Sequence, residues 1–539
     1  MKVLPLLDFT IIGIYLIGMI LVGFYFSRKN KNARQFTMAS GLIPGWAIGL
    51  SIYATFLSSN TFLGVPGKAY GGNWNAFVFS LSMPLAAWIA VKYFVPFYRN
   101  TGEVSAYTHL EKRFGPWART YAVICFLLTQ LARMGSVFFG IALSLQALTG
   151  VSMKMIMLIM GISIIIYTVS GGIKAVIWTE VVQGIIKTLG AVLIIYLLVT
   201  NISGGFTKIL DIGLANQKFD LGSFSPDLTQ PTFWVILFYG FFINLNNFGM
   251  DQNYIQRYHA AKSTRQAAKS VWLCVAIYVP ASFLFFVIGS CLYAYYSQHP
   301  DLILSIKHQA AIERLPATAS ASQISSVMAK LTPADYGDKI MPHFMVTKIP
   351  PGLVGVIVAA ILSAAMSTIS SGMNASATVF TIDIYKRYFK TQLNDKQTLN
   401  VLHIGTVVFG LAGMGAGIAM IGVKSILDVW WQLSGIFAAG MLGLFLLGII
   451  SRQTRNHEAI VATIIGVLVI MWLTFPAIIP DQYASLRSTL NTNLIIVVGT
   501  LAIFLTGIFL TKTGWFAEKN KLNTTQTSKW NRLKKVLSQ

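Results

Sequence analysis

The chain has 539 residues, of which 55% are hydrophobic and only 11% charged, with a mean hydropathy of +0.64. That balance excludes a soluble domain and points to an all-α polytopic membrane protein. The formal net charge of +23 is split among loops rather than gathered on one face, so the bilayer is the expected partner and nucleic acid is not.

Thirteen apolar segments follow in chain order, near 8–27, 44–64, 75–97, 117–149, 154–170, 175–200, 232–254, 269–297, 351–385, 398–422, 426–450, 457–475 and 490–511. No cleavable signal peptide is evident ahead of the first. Basic clusters follow the first segment (Arg28, Lys29, Lys31, Arg34), the third (Arg99, Lys112, Arg113, Arg119), the seventh (Arg257, Lys262, Arg265, Lys269) and the ninth (Lys386, Arg387, Lys390, Lys396). Another, from Lys519 to Lys535, closes the tail. All five fall on one side of the membrane. The excess of Lys and Arg in cytoplasmic loops then places the N-terminus outside and the C-terminus inside, in the cell membrane, with loops 201–231 and 298–350 outside.

The second segment carries polar groups in mid-span, ATFLSSNT over 54–61. A helix broken there would free carbonyls such as those of Ala54 and Leu57 to bind a cation. A continuous helix with its hydroxyls bonded to its own backbone is the alternative. Arg133, inside the fourth segment, would cost at least ~2.5–3.5 kcal/mol at the bilayer centre unless it faced a cavity or a partner. No acid in the sequence is an obvious dedicated partner, which suggests contact with an anionic group or sugar hydroxyls. Glu180 lies one to two turns into the sixth segment, where an ion pair and a functional role are both open. The seventh segment, GFFINLNNFGMDQN over 240–253, is interrupted like the second, and Asn247 within it is a candidate for solute contact. Two interrupted segments five apart are the sequence signature of an inverted-repeat transporter.

The ninth segment then fills with hydroxyls. Ala364, Ser367, Thr368, Ser370, Ser371 and Asn374 recur three and four apart and so share one side of a helix. Lipid cannot solvate that side. Hydroxyl and carbonyl oxygens are hard ligands suited to Na⁺; interhelical hydrogen bonding by small residues is the alternative. Gly410, Gly413 and Gly417 read as a close helix contact, and Trp430 and Trp431 as an interfacial belt, with a gate as the alternative. Cys125, Cys274 and Cys291 all fall in apolar helices and build no disulfide framework or metal motif. No nucleophile–base pair or metal cluster suggests an enzyme.

Thirteen spans, an outside N-terminus and the stretches ATFLSSNTF, SAYTHLEKRFG, GGIKAVIWTEVVQG, DQNYIQRY and AAMSTISSGMNASATVFTIDIY together resemble the sodium:solute symporter family. The resemblance implies the LeuT-type fold of two inverted five-helix repeats and Na⁺ symport by alternating access. It divides the chain into a first helix with its loop (1–43), a first repeat (44–231), a second repeat (232–450), two further helices (451–511) and a basic cytoplasmic tail (512–539). It also implies a Na⁺ site on the carbonyls of Ala54, Leu57 and Ala364 and the hydroxyls of Ser367 and Thr368. The second Na⁺ site of some members would fall on Ser370, Ser371 and Glu180, where those members carry aspartate. Within the family the chain looks most like the bacterial sialic acid branch. In that branch an arginine matching Arg133 holds the substrate carboxylate beside residues matching Ser58 and Thr61. Phe56 and Ser80, also expected at the substrate, replace that branch's threonine and glutamine. Sialic acid or a sugar is the favoured solute and another organic anion the alternative. A non-transporting solute sensor and a channel are the rival classes. The short polar tail, with no signalling module after the last span, and polar groups confined to mid-membrane both favour transport.

Overall fold

The computed structural model describes residues 4–27, 32–312, 314–315, 319–423, 425–475 and 481–514. The tail's basic residues from Lys519 to Lys535, and Arg28, Lys29 and Lys31, lie outside these. The described residues form a helical bundle, as the apolar segments require: hydrocarbon leaves backbone groups no partner except their own helix. The helices that matter are α1 (Leu6–Ser27), α2 (Gly45–Phe56), α3 (Ser59–Gly71), α4 (Trp74–Thr101), α5 (Pro116–Thr149), α6 (Met153–Thr200), α7 (Phe233–Met250) and α8 (Gln252–Ala260). After them come α9 (Thr264–Ser297), α10 (Leu353–Val379), α11 (Asp395–Ala419), α12 (Ile426–Ile450), α13 (Asn456–Thr474) and α14 (Ile495–Thr513).

Among the described residues, eleven helices are long and apolar enough to span, and the α2–α3 pair, bent by 54°, makes a twelfth span. Thirteen is reached only by dividing α6. Its 48 residues would run about 70 Å as one straight helix, over twice the hydrocarbon thickness. It turns at Gly172, where φ is +55° and a Cβ would meet Phe36 at 2.8 Å. Only glycine suits both demands.

Both mid-span interruptions expected from the sequence are real breaks. Leu57 is extended (φ −89°, ψ 95°) between α2 and α3. Asp251 is extended (φ −78°, ψ 116°) between α7 and α8. The central helix is α10, nearly all of whose residues are buried. Its start is anchored by buried Asp8 of α1, whose Oδ1 accepts from the backbone amides of Gly352 (2.8 Å) and Gly355 (2.6 Å). An anion there satisfies orphan donors and the helix dipole together. The glycine row of α11 packs closely on α5: a Cβ on Gly413 would meet Met134 at 3.0 Å and one on Gly417 would meet Phe138 at 2.8 Å.

The 298–350 connection is itself helical, with Pro300–Ile312, Ala321–Lys330 and Pro333–Lys348. The last starts with a capping box of Thr332 and Asp335, and Arg314 adds an ion pair to Asp335 at 3.0 Å. The Thr332 hydroxyl, then the Thr332 amide and Arg314, hold the Asp335 carboxyl down to about 2. Its stabilising effect is therefore complete above the ordinary aspartate range near pH 4 and is lost as pH falls towards 2. Asp335→Ala is expected to destabilise this helix by about 1 kcal/mol at pH 7, seen as faster amide exchange over 333–340, and to have no further effect near pH 2.

Candidate solute and cation site

The break after α2 leaves the carbonyls of Ala54, Thr55 and Leu57 without helical donors, at the negative end of a helix dipole. Each is met by a side-chain cation. Arg133 of α5 donates through Nη2 to Thr55 O at 3.0 Å. Lys187 of α6 donates through Nζ to Ala54 O at 2.6 Å, to Leu57 O at 2.7 Å and to Ser367 Oγ of α10 at 2.9 Å. Lys187 is fully buried, and among the described residues its ammonium touches only these neutral oxygens.

Three of the five residues expected to bind the first Na⁺ thus meet one cation, which is Lys187. The other two lie alongside. The Ala364 carbonyl accepts from Ser367 Oγ at 3.2 Å and from Thr368 Oγ1 at 3.3 Å, the latter a contact at the limit of a hydrogen bond. The donor chemistry is what the sequence suggested, hard oxygens shared between α2 and α10, but as arranged it is filled by an ammonium that excludes a second cation from the same point.

The second expected cation position differs in the same way. The Glu180 carboxylate, fully buried in α6, is held by Arg257 of α8, whose Nη2 lies 2.7 Å from each oxygen. Ser51 and Ser371 hydroxyls also bond that carboxylate, and Thr55 Oγ1 reaches it at 3.1 Å. Arg257 further donates to Ser51 Oγ and Ser371 Oγ, each at 2.7 Å. Ser370 does not join this cluster; its hydroxyl bonds the Ser367 carbonyl of its own helix at 3.3 Å. The guanidinium completes the charge and hydrogen-bond count around Glu180, so the trio Glu180, Ser370 and Ser371 is not a cation site in this arrangement. Arg257, read from the sequence as one of a cytoplasmic basic cluster, is instead carried into the core by the break at Asp251.

The six residues expected at the solute, Phe56, Ser58, Thr61, Ser80, Arg133 and Asn247, all line one cavity between α2, α3, α4, α5, α7, α9 and α12. Asn60, Tyr239, Tyr278, Ser282, Trp430 and Trp431 line it with them. The cavity is only about 70 Å³, well below the ~300–1,000 Å³ usual for small-molecule sites. Trp430 and Trp431 are not an interfacial belt. The Arg133 guanidinium lies 5.8 Å from the Trp430 ring, and Trp431 stacks on Phe79 with centroids 5.7 Å apart and meets Tyr239 at 5.0 Å. Arg133 also has an acid after all. Asp251, at the α7–α8 break, places Oδ2 3.5 Å from Nη1, while Tyr254 Oη is 3.3 Å from Nη2. These contacts are long for charge-assisted hydrogen bonds, and they leave the guanidinium facing the cavity with donors to spare.

Lys187 was the residue the sequence reading passed over. It stood in view in the run IIKTLG of the sixth segment, seven residues after Glu180 and hence on the same helix face. An ionisable residue that deep is a functional candidate by default.

The model of the sodium:solute symporter family matches residues 36–466. The chain is 31% identical to the sodium/sialic acid symporter NanT of Aliivibrio fischeri over 96% of its own length and 94% of the relative's. It is 30% identical to the sodium/sialic acid symporter SiaT of Proteus mirabilis, over 97% and 98%, and 27% identical to the sodium/glucose cotransporter of Vibrio parahaemolyticus, over 93% and 91%. Among solved structures it resembles a substrate-bound, outward-open Na⁺-coupled sialic acid symporter with a TM-score of 0.81 at 29% identity, covering 94% of this chain and 98% of that one. A nucleobase-cation-symport-1 family transporter in a closed conformation shares the fold alone, with a TM-score of 0.51 at 14% identity over 90% and 95% of the two chains.

Proposed function

The chain belongs to the sodium:solute symporter family, and on that premise we propose that it is a secondary-active, Na⁺-coupled symporter that imports a small organic solute, a sialic acid or a sugar, by alternating access. It is a multi-pass membrane transporter and not an enzyme. The observation that carries the solute reading is Arg133: a buried guanidinium facing a cavity inside the bundle whose largely aromatic and aliphatic walls carry a few hydroxyl and amide groups, where a planar fork of donors suits a carboxylate. Ser58, Thr61, Asn247 and Ser80 supply hydroxyl and amide partners around the same cavity, and Phe56 supplies an apolar wall. Ser80 hydrogen-bonds Ser282 at 2.7 Å, so it would serve the solute as one end of a hydroxyl pair.

The two inverted repeats take residues 44–231 and 232–450, and each opens with one of the two broken helices. The N-terminus faces outside and the tail the cytoplasm. Supporting the placement of the basic loops on one common side, Arg119 and Arg387 both pair with Glu111, at 2.7 and 2.6 Å. Once the Lys187 ammonium has left them, the oxygens of Ala54, Leu57, Ala364, Ser367 and Thr368 take Na⁺ at one ion per cycle, because Arg257 already pairs with Glu180. The sodium dependence of uptake is therefore expected to have a Hill coefficient near one; a value near two would restore a second ion.

A binding comparison tests the solute reading. Purified protein in Na⁺ buffer is titrated with N-acetylneuraminic acid and with its methyl ester. Thermal stabilisation by the acid, with the ester at least tenfold weaker, is expected if Arg133 reads a carboxylate. Equal binding of the two would move the solute class to neutral sugars.

A further inference from the structure

The Lys187 ammonium has the position, charge and ligands that the resemblance assigned to a metal ion. Its three donors are all used, on two carbonyls freed by the α2 break and on a hydroxyl of α10. It ties α2 to α10, one helix from each proposed repeat, which is the mechanical role expected of the coupling ion. It does so without a carboxylate of its own, since Glu180, on the same helix face, is committed to Arg257. A buried lysine held by carbonyl dipoles alone is a costly arrangement, and the same dipoles would serve a small inorganic cation equally well. Two cations cannot share the point, because like charges a few ångströms apart repel strongly even in a well-screened protein environment.

We propose that Lys187 is a tethered cation that occupies the coupling-ion position and excludes Na⁺ from it while seated. The proposal rests on the Na⁺-symport reading only for the identity of the competing ion. While the ammonium is seated, the α2–α10 tie holds with no external ion. For Na⁺ to enter, the lysine side chain must first withdraw along the α6 surface, so Na⁺ binds against a built-in competitor, and a neutral side chain at 187 removes that competitor while leaving every oxygen ligand in place. Arg257 differs in kind. Its guanidinium is locked by a paired carboxylate and two serine hydroxyls, whereas the lysine is held by neutral oxygens alone.

The experiment measures ²²Na⁺ binding to the purified full-length chain and to Lys187→Met, Lys187→Gln and Lys187→Gln/Ser367→Ala, alongside Na⁺-gradient-driven uptake of N-acetylneuraminic acid by the unmodified chain. The two single variants are expected to bind Na⁺ at least tenfold more tightly than the unmodified protein, and the added Ser367→Ala is expected to remove most of that gain. If Lys187→Met does not fold, Lys187→Gln, which keeps a polar side chain there without the charge, carries the comparison. Na⁺ affinity unchanged in both single variants would overturn the proposal, and Lys187 would then be a structural bond alone. The two readings separate cleanly. Tighter Na⁺ binding in the variants with no Na⁺ stimulation of uptake by the unmodified chain would uphold the tethered cation and overturn Na⁺ coupling. Na⁺-driven uptake with unchanged affinity in the variants would do the reverse.

Discussion

Arg133→Ala is expected to lower solute uptake on the order of 100-fold, because removing one partner of a buried, charge-assisted contact costs about 2–5 kcal/mol. The loss should fall mainly on the apparent affinity for solute. Arg133→Lys keeps the charge but not the planar fork, and should recover only part of the loss. One alternative is that Arg133 serves chiefly as partner to Asp251, 3.5 Å away. Asp251→Asn separates the two. It removes the acid and leaves the guanidinium in the cavity, so solute affinity should change by no more than a few fold. A loss equal to that of Arg133→Ala would mean that the ion pair, rather than the solute contact, is what matters. Equilibrium binding to detergent-purified variants of equal thermal stability is the measurement.

The other large effect concerns the Glu180–Arg257 pair. Both side chains are fully buried, and each is the other's only charged partner in the hydrogen-bond and ion-pair network of the described residues. Breaking such a pair on one side typically costs 3–5 kcal/mol, because the survivor is an uncompensated charge in a low-dielectric interior. Glu180→Gln and Arg257→Met are each expected to lower the unfolding temperature sharply and the yield of monodisperse protein with it. The double variant Glu180→Gln/Arg257→Met should recover most of that loss, since replacing both partners leaves no charge behind. If the single variants are as stable as the unmodified chain, the pair is not a structural unit, and Glu180 returns as a candidate cation ligand.

These two clusters show what a sequence reveals about a membrane transporter and where it stops. The breaks after Phe56 and Met250 were legible because polar runs in mid-span are incompatible with lipid-facing helices. The cavity residues were legible because Arg133 at that depth must face something polar, and because the neighbouring stretches resembled a known family. Periodicity also fixed the hydroxyl side of α10. What these signals do not contain is pairing. Periodicity says that a group must be hidden from lipid, not which of several distant groups it meets. Glu180 finds Arg257 across 77 residues, and Lys187 meets carbonyls 130 and 133 residues before it and a hydroxyl 180 after it. Arg257 was misread as a topology charge because it directly follows an apolar segment, where loop arginines usually sit; only the extended backbone at Asp251 turns the next helix inward. Asp251 escaped as Arg133's partner for the same reason, since a residue in a break carries no helical register. The two tryptophans at the start of α12 have the composition of an interfacial belt, and only the packing of Trp431 against Phe79 and Tyr239 and of Trp430 beside Arg133 reveals them as cavity walls.

Reconstituted vesicles test the central claim most directly. Uptake of N-acetylneuraminic acid is followed under an inward Na⁺ gradient, and then under K⁺ or proton gradients of equal driving force with Na⁺ absent. The account requires accumulation above equilibrium with the Na⁺ gradient and none with the others; equal accumulation driven by a proton or K⁺ gradient without Na⁺ would contradict it.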